Sequence, residues 1–411
     1  MSSPADQLIA THAQAAERAL PELAAAPDEQ IDAVLAGMGK RLESAAPELL
    51  QENAADVDAA HADGTTGALL DRLRLGPDRL ASMAEQLRLL AAAPFPERDV
   101  PVRELPGGLQ LSERRRPVGV IGANFEARPN VTLDMASQLL KSRNAGVLRT
   151  GSAALRSAAA LLDHVIAPAL SEAGLTTDAV QLVRAPGREL AAALVHQPGL
   201  IPLVIIRGSG QTTRALSSEA AQHGVRTLAH ADGGGVLYVH AAADPQRASD
   251  LLAAGLDRLG VCNRVNLVLI DAAVYEPTLA AFTPVLQELG IAISAPPHQH
   301  DVGHEWALDT GNEATVTVAP VGGPLEAADT ANRHTSGLAA TVVTEEAAAA
   351  TAFLDAYRGT GAFWNSSTRL LDGFKLTGYP ETGINVDHVP GPRGPVTFRD
   401  LYLRQYVVVP R

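Results

Sequence analysis

From Pro117 to Ile206, four short apolar runs alternate with segments of helical pattern: Val118-Gly119-Val120-Ile121-Gly122, Ala145-Gly146-Val147-Leu148-Arg149, Ala179-Val180-Gln181-Leu182-Val183 and Leu203-Val204-Ile205-Ile206. No other feature restricts the fold as strongly. Continuous apolar strands, each followed by a helix, imply a parallel sheet buried on both faces in an α/β domain. Ligands of such open sheets bind beyond the carboxyl ends of the strands. Three loops lie there: Ala123 to Asn130, Arg149-Thr150-Gly151-Ser152 and Arg207-Gly208-Ser209-Gly210-Gln211-Thr212. A second block repeats the alternation from Gly233. It runs Val236-Leu237-Tyr238-Val239, a helix over 245–258, Leu267 to Ile270, a helix over 277–289 and Thr315-Val316-Thr317-Val318.

The segments flanking these blocks read differently. From Pro4 to Ala93, Leu, Ala, Glu and Gln recur at helical spacing, broken at Pro21, Pro27 and Pro47, which predicts a helical scaffold. Between Val100 and Arg116, two runs of alternating polarity flank Pro106-Gly107-Gly108 and predict a β-hairpin. A lone hairpin is marginal in water, so it is expected to pack on another element or another subunit. Arg114, Arg115 and Arg116 read as a solvated or interface face. The β-branched tail Tyr402 to Val409 predicts a final strand, long enough to pair outside its own domain.

With 33 Lys and Arg against 46 Asp and Glu, the net charge of −13 argues against nucleic acid and anionic membranes as partners. It does not argue against a small anionic substrate, because a local arginine cluster can override the global sign. The N-terminus lacks the basic start of a signal peptide, and no run of about 18 uncharged apolar residues is evident. Cysteine scarcity fits a reducing cytoplasm.

Cys262 is the single cysteine in 411 residues. It cannot form an intrachain disulfide or share a cysteine metal site, so it is an apolar filler or a nucleophile. It follows Gly260-Val261 and precedes the apolar run Val265 to Ile270, so it lies in a turn entering a strand. Arg258 and Arg264 are close in sequence and would lower a thiol's pKa from its usual value. Attack on a carbonyl needs donors for the developing oxyanion, and the Cys262 N–H and a side-chain amide such as that of Asn130 would serve. Asn130 also reads as a helix N-cap. Arg149-Thr150-Gly151-Ser152 ends a strand and opens a helix running to about Ala173, a place for a phosphate or ribose, although it also reads as a plain turn. The same two readings hold for Arg207-Gly208-Ser209-Gly210. The run His298-Gln299-His300 reads as a polar surface loop, and no metal is expected.

Four motifs together carry a resemblance: Glu126-Ala127-Arg128-Pro129-Asn130-Val131-Thr132, Leu140-Lys141-Ser142-x-Asn144-Ala145, Val261-Cys262-Asn263 and Asn365-x-Ser367-Thr368-Arg369-x-x-Asp372-Gly373. In this order, from about Leu105 to Val408, the chain resembles the γ-glutamyl phosphate reductases (glutamate-5-semialdehyde dehydrogenases of proline biosynthesis) of the aldehyde dehydrogenase superfamily. The resemblance implies NADPH-dependent reduction of an acyl phosphate to an aldehyde through a Cys262 acyl-thioester, with Asn130 at the oxyanion. It implies that Arg149, Gly151, Ser152, Gly208 and Ser209 meet the cofactor. In the wider superfamily a Glu just after the basic residue selects NAD, and Ser152-Ala153 offers no such acid, which favours NADPH. Arg128, Arg258, Arg264, Ser367 and Thr368 are assigned to the substrate.

The chain also departs from the family. The family's Ser-Gly-His-Ser-Glu is Ser336-Gly337-Leu338-Ala339-Ala340, and the superfamily's general-base Glu corresponds to Ala229. Deacylation by water needs such a base, whereas reduction of an acyl enzyme does not. Two alternatives stay open: an aldehyde dehydrogenase or thioester reductase acting on another substrate, and a non-catalytic homologue serving as a binding subunit. The expected organisation is N-terminal helices plus a Rossmann-like NADP domain over 1–102 and 117–230, with a return segment near 369–389. A catalytic αβ domain over 231–368 and an oligomerisation element over 103–116 and 390–411 complete it. A cytoplasmic homodimer or higher homo-oligomer is expected.

Overall fold

The computed structural model describes residues 3–65, 67–208, 210–230, 233–309, 311–386 and 392–411. The chain forms two compact units. The first comprises Met1–Ala229, Tyr379–Gly383 and Val396–Arg411, and the second His230–Gly378 and Ile384–Pro395. The return segment expected over 369–389 thus divides, with 379–383 in the first unit and its other described residues in the second.

The first unit opens with helices Pro4–Ala25, Asp28–Ser44, Ala46–Ala62, Gly67–Leu73 and Pro77–Ala92. Pro27 and Pro47 punctuate as expected, Pro27 as the residue before a helix and Pro47, like Pro77, in a first turn where a missing N–H costs nothing, whereas Pro21 lies inside helix Pro4–Ala25 and does not break it. Ser3 and Asp6 close a capping box at the first of these helices. Ile9, Leu23, Val34, Met38 and Leu87 carry their apolar stripes into one core with the sheet. That sheet has five strands in the order Val180–Leu182, Ala145–Thr150, Val120–Phe125, Leu203–Arg207, Arg226–His230. Its first three pairings are parallel. The last strand escaped the sequence reading because Arg226-Thr227-Leu228-Ala229-His230 lacks a continuous apolar run.

The run Ser152–Glu172 is long and apolar enough to cross a membrane by length and composition, although Arg156 and Asp163 keep it from being an uncharged run. Ala158, Leu161, Val165, Ile166 and Leu170 are buried in the first unit's core, so the run's apolarity serves packing. Asp99–Leu105 and Leu109–Pro117 form the expected hairpin. The terminal strand Tyr402–Pro410 pairs antiparallel with Leu109–Pro117, so within this chain it completes a three-stranded sheet.

The second unit is a six-stranded parallel sheet in the order Ala292–Ser294, Thr315–Val321, Val265–Asp271, Gly235–Val239, Ala339–Val343, Gly361–Trp364. Its central strands are buried throughout, as their unbroken apolar runs predict. Two cores cover its faces. One gathers Tyr238, Leu269 and Phe353, the other Leu237, Val268 and Phe282.

Candidate functional site

In the second unit Cys262 lies in the turn before strand Val265–Asp271, half-buried, with Gly260 at φ +75° ahead of it. Three neighbouring segments hold this turn. The Gly234 N–H donates to the Cys262 carbonyl at 2.7 Å, and the Gly235 N–H to that of Arg264 at 2.5 Å. A Cβ on Gly233 would stand 2.5 Å from the Cys262 oxygen and 2.6 Å from its Cα, so the two backbones touch only because Gly233 has no side chain. The Ser336 hydroxyl donates to the Gly233 carbonyl at 2.8 Å, tying in the Ser336-Gly337 loop. The segment 367–371 clamps Asn263 from the other side. Thr368 Oγ1 donates to the Asn263 carbonyl at 2.8 Å, Asn263 Nδ2 to the Leu371 carbonyl at 2.9 Å, and Arg369 to Asn263 Oδ1. Arg369 also pairs with Asp257 at 2.8 Å. Cys262 packs against the apolar cluster of Leu338, Ala339, Leu371 and Ile384.

The residues assigned to the substrate in this unit separate under this geometry. Arg264 is fully buried. Its guanidinium donates to the carbonyls of Glu313 and Thr315, and at 3.3 Å to that of Val265. Burial pushes its pKa down while Glu305 opposes. Arg264 is therefore corrected from a substrate ligand to the residue that fastens the Cys262 turn to the neighbouring strand's entrance. Thr368 is likewise buried, with its hydroxyl on Asn263 rather than turned outward. Ser367 is half-buried and accepts from the Arg369 N–H at 3.2 Å. Arg258 is exposed in the bend after helix Pro245–Gly255.

In the first unit, Asn130 lies neither in a loop nor at an N-cap. Arg128 takes the cap position, and Asn130 is half-buried in the first turn of helix Pro129–Lys141. Pro129 sets that boundary, because proline disfavours helical geometry in the residue before it and suits the first helical position. Asn130 Nδ2 donates to Asp134 Oδ2 at 3.1 Å. Asp134 was missed in the sequence reading, although an Asn and an Asp four residues apart share a helix face. Burial pushes its carboxyl up to about 7, against the pull of Arg207 and with the support of Glu381. Arg128 Nε stands 3.4 Å from Glu126.

Arg149 is the penultimate residue of strand Ala145–Thr150. Its guanidinium donates to Asn124 Oδ1 at 3.2 Å and to the Gly187 carbonyl at 2.8 Å, while its buried Nε meets no hydrogen-bond partner among the described residues. A Cβ on Gly151 would come within 3.0 Å of the Ala127 nitrogen, so this loop also runs close to its neighbour. Ser152 is exposed and Gly208 half-buried at the ends of their strands, and Ser209 lies outside the described residues. An unsatisfied buried guanidine nitrogen beside a glycine-narrowed loop suits a polar, anionic ligand such as a dinucleotide.

A profile of the aldehyde dehydrogenase family matches residues 3–303. The γ-glutamyl phosphate reductase of Sphingopyxis alaskensis is 36% identical over 364 residues, 87% of this chain and 83% of that one. The enzyme of the same name from Caulobacter is 34% identical over 408 residues, 96% of each chain. The chain belongs to the aldehyde dehydrogenase family, among its γ-glutamyl phosphate reductases. The fold agrees: the γ-glutamyl phosphate reductase structure from Thermotoga maritima superposes with a TM-score of 0.90 at 24% identity, covering 98% of both chains. As a member of this family the chain is an oxidoreductase acting on an aldehyde or acyl phosphate, with a small-molecule substrate and a nicotinamide cofactor.

Proposed function

We propose that this chain reduces γ-glutamyl phosphate to glutamate-5-semialdehyde with NADPH, through an acyl-thioester on Cys262. The observation that carries this reading is the family membership combined with a lone, half-buried thiol gripped by Gly233, Gly234 and the Asn263 clamp. The Cys262 thiolate attacks the acyl carbonyl carbon. The carbonyl oxygen takes up the charge, stabilised by the Cys262 N–H and the Asn130 amide. When it returns its electron pair, the bond to the phosphate oxygen breaks, inorganic phosphate leaves, and the thioester remains. When bound, the nicotinamide supplies the hydride that reduces the thioester. The same donors then hold the oxyanion of the hemithioacetal until the C–S bond breaks, freeing the aldehyde and restoring the thiolate.

Arg149, Gly151, Ser152, Gly208 and Ser209 would hold the cofactor, with the absence of an acid at Ser152-Ala153 favouring NADPH over NADH. Exposed Arg258 and half-buried Arg128 and Ser367 would meet the substrate's anionic groups. Ala229, where the superfamily has its base, leaves water without activation, which favours phosphate as the partner of the acyl enzyme over hydrolysis. In this reading the first unit takes the cofactor and the second carries the nucleophile. The sheet of hairpin and terminal strand serves assembly into a cytoplasmic homodimer or larger homo-oligomer, a role that fits exposed Leu403, Tyr406, Val408 and Val409.

A second reading keeps the chemistry and changes the acid. Leu338, buried beside Cys262, replaces a family histidine and presents an apolar wall to the thiol's surroundings, which would suit a less polar activated acid or a thioester. One experiment separates the two. Glutamate-5-semialdehyde, inorganic phosphate and NADP are mixed with the protein or its Cys262→Ser variant, and NADPH appearance is followed. Phosphate-dependent NADPH that vanishes in the variant supports the first reading. Silence here, with turnover of another semialdehyde, supports the second.

A further inference from the structure

Asp134 has no part in the reaction as written, yet it is bonded to a residue that does. Asn130 and Asp134 stand one turn apart on helix Pro129–Lys141, and Asn130 Nδ2 donates to Asp134 Oδ2 at 3.1 Å. A carboxamide's two ends are alike in shape and opposite in chemistry, so packing alone selects poorly between them. An ionised carboxylate can only accept, and therefore it can be satisfied only by the Nδ2 end.

We propose that Asp134 is a positioning residue that holds the Asn130 amide with its nitrogen fixed in place, so that the second N–H on Nδ2 remains for the oxyanion. This rests on the role given to Asn130 above and adds what keeps that amide from turning over. The charged groups acting on Asp134 come from two other elements, Arg207 at the end of strand Leu203–Arg207 and Glu381 in the segment 379–383, and they act in opposite directions. Burial outweighs Arg207 and leaves the carboxyl titrating at about 7. Below that pH the acid O–H can donate to Asn130 Oδ1, the reversed amide is satisfied equally well, and positioning weakens. Above it, Nδ2 alone fits.

Two reactions of the same thiol test this. Acylation of Cys262 by p-nitrophenyl acetate passes through an oxyanion and expels p-nitrophenolate. Alkylation by iodoacetamide displaces iodide at a saturated carbon and has no oxyanion. Both need the thiolate, so their ratio cancels the ionisation of Cys262. In the unsubstituted protein the ratio is expected to rise several-fold as pH increases through about 7. Asp134→Asn is expected to lower acylation about tenfold, part of the loss that follows removal of an oxyanion donor, to leave alkylation unchanged and to flatten the pH dependence. Asp134→Glu, which restores an acceptor-only group, is expected to recover most of the ratio.

A ratio that is flat with pH in the unsubstituted protein, or unchanged in Asp134→Asn, overturns the proposal. If Asp134→Asn fails to fold, as a thermal melt would show, the pH profile of the unsubstituted protein and Asp134→Glu decide alone. The reagents probe Cys262 and Asn130 whatever the natural acid is. A silent semialdehyde assay beside a ratio sensitive to Asp134 would therefore remove the substrate and keep the positioning role. An Asn130→Ala variant with an unchanged ratio would remove the reading on which the proposal stands.

Discussion

The two units carry their proposed site residues at opposite ends of their strands. In the first, Arg149 lies in the last pleat of strand Ala145–Thr150, and Gly151 and Gly208 follow strands Ala145–Thr150 and Leu203–Arg207, at the carboxyl edge where open parallel sheets bind ligands. In the second, Cys262 precedes strand Val265–Asp271, and Gly233 and Leu338 precede their own strands. The amino edge has no ready-made crevice at a helix N-terminus, so the thiol's turn must be assembled by other means. A glycine lets backbone meet backbone at Gly233, Thr368 and Asn263 fasten one side, and Arg264 bridges carbonyls beneath. Among the described residues of the first unit's loops, Gly151 makes the comparable backbone approach, and it is looser, with a Cβ at 3.0 Å from its neighbour against 2.5 Å at Gly233.

Five substitutions grade this contrast. Cys262→Ser should lower the reductive rate by about six orders of magnitude, as removal of a nucleophile does, with cofactor binding by fluorescence titration unchanged. Gly233→Ala should slow Cys262 acylation about a hundredfold, because relieving the contact moves the turn by about an ångström, a misplacement that costs about that much. Gly151→Ala, made beside it, should cost only a few-fold. Equal losses from the two alanines would erase the difference between the edges. Arg264→Met should destabilise the fold by about 3 kcal/mol, since several buried carbonyls lose a charged donor. The check is denaturant unfolding, and a raised substrate KM with unaltered stability would return Arg264 to the substrate. Arg149→Met should raise the KM for NADPH about tenfold, the scale of one lost charge-assisted bond, with little change in melting temperature.

Much of this was legible along the chain, for reasons that differ by region. Buried parallel strands announce themselves as apolar runs, which is why Ala145–Thr150 and Val265–Asp271 were found, whereas Arg226–His230 has no such run and was not. Cys262 was legible because it is alone and sits between glycine and a strand. Arg264 was misread because an arginine beside a thiol looks electrostatic in one dimension, while its carbonyl partners lie about fifty residues downstream. Thr368 was misread for the same reason, its acceptor being Asn263, 105 residues away. Asp134 was within reach of a helical wheel. What hid it was the placement of Asn130 in a loop, which removed the four-residue spacing from view.

The most direct test is a burst experiment on the unsubstituted protein. Glutamate-5-semialdehyde and NADP are added without phosphate, NADPH is followed, and phosphate is then supplied. The account predicts a rapid burst approaching one NADPH per subunit, an acyl adduct on Cys262 by mass, and a later rate that rises with phosphate. Sustained turnover at a rate indifferent to phosphate, with no adduct on Cys262, would contradict it.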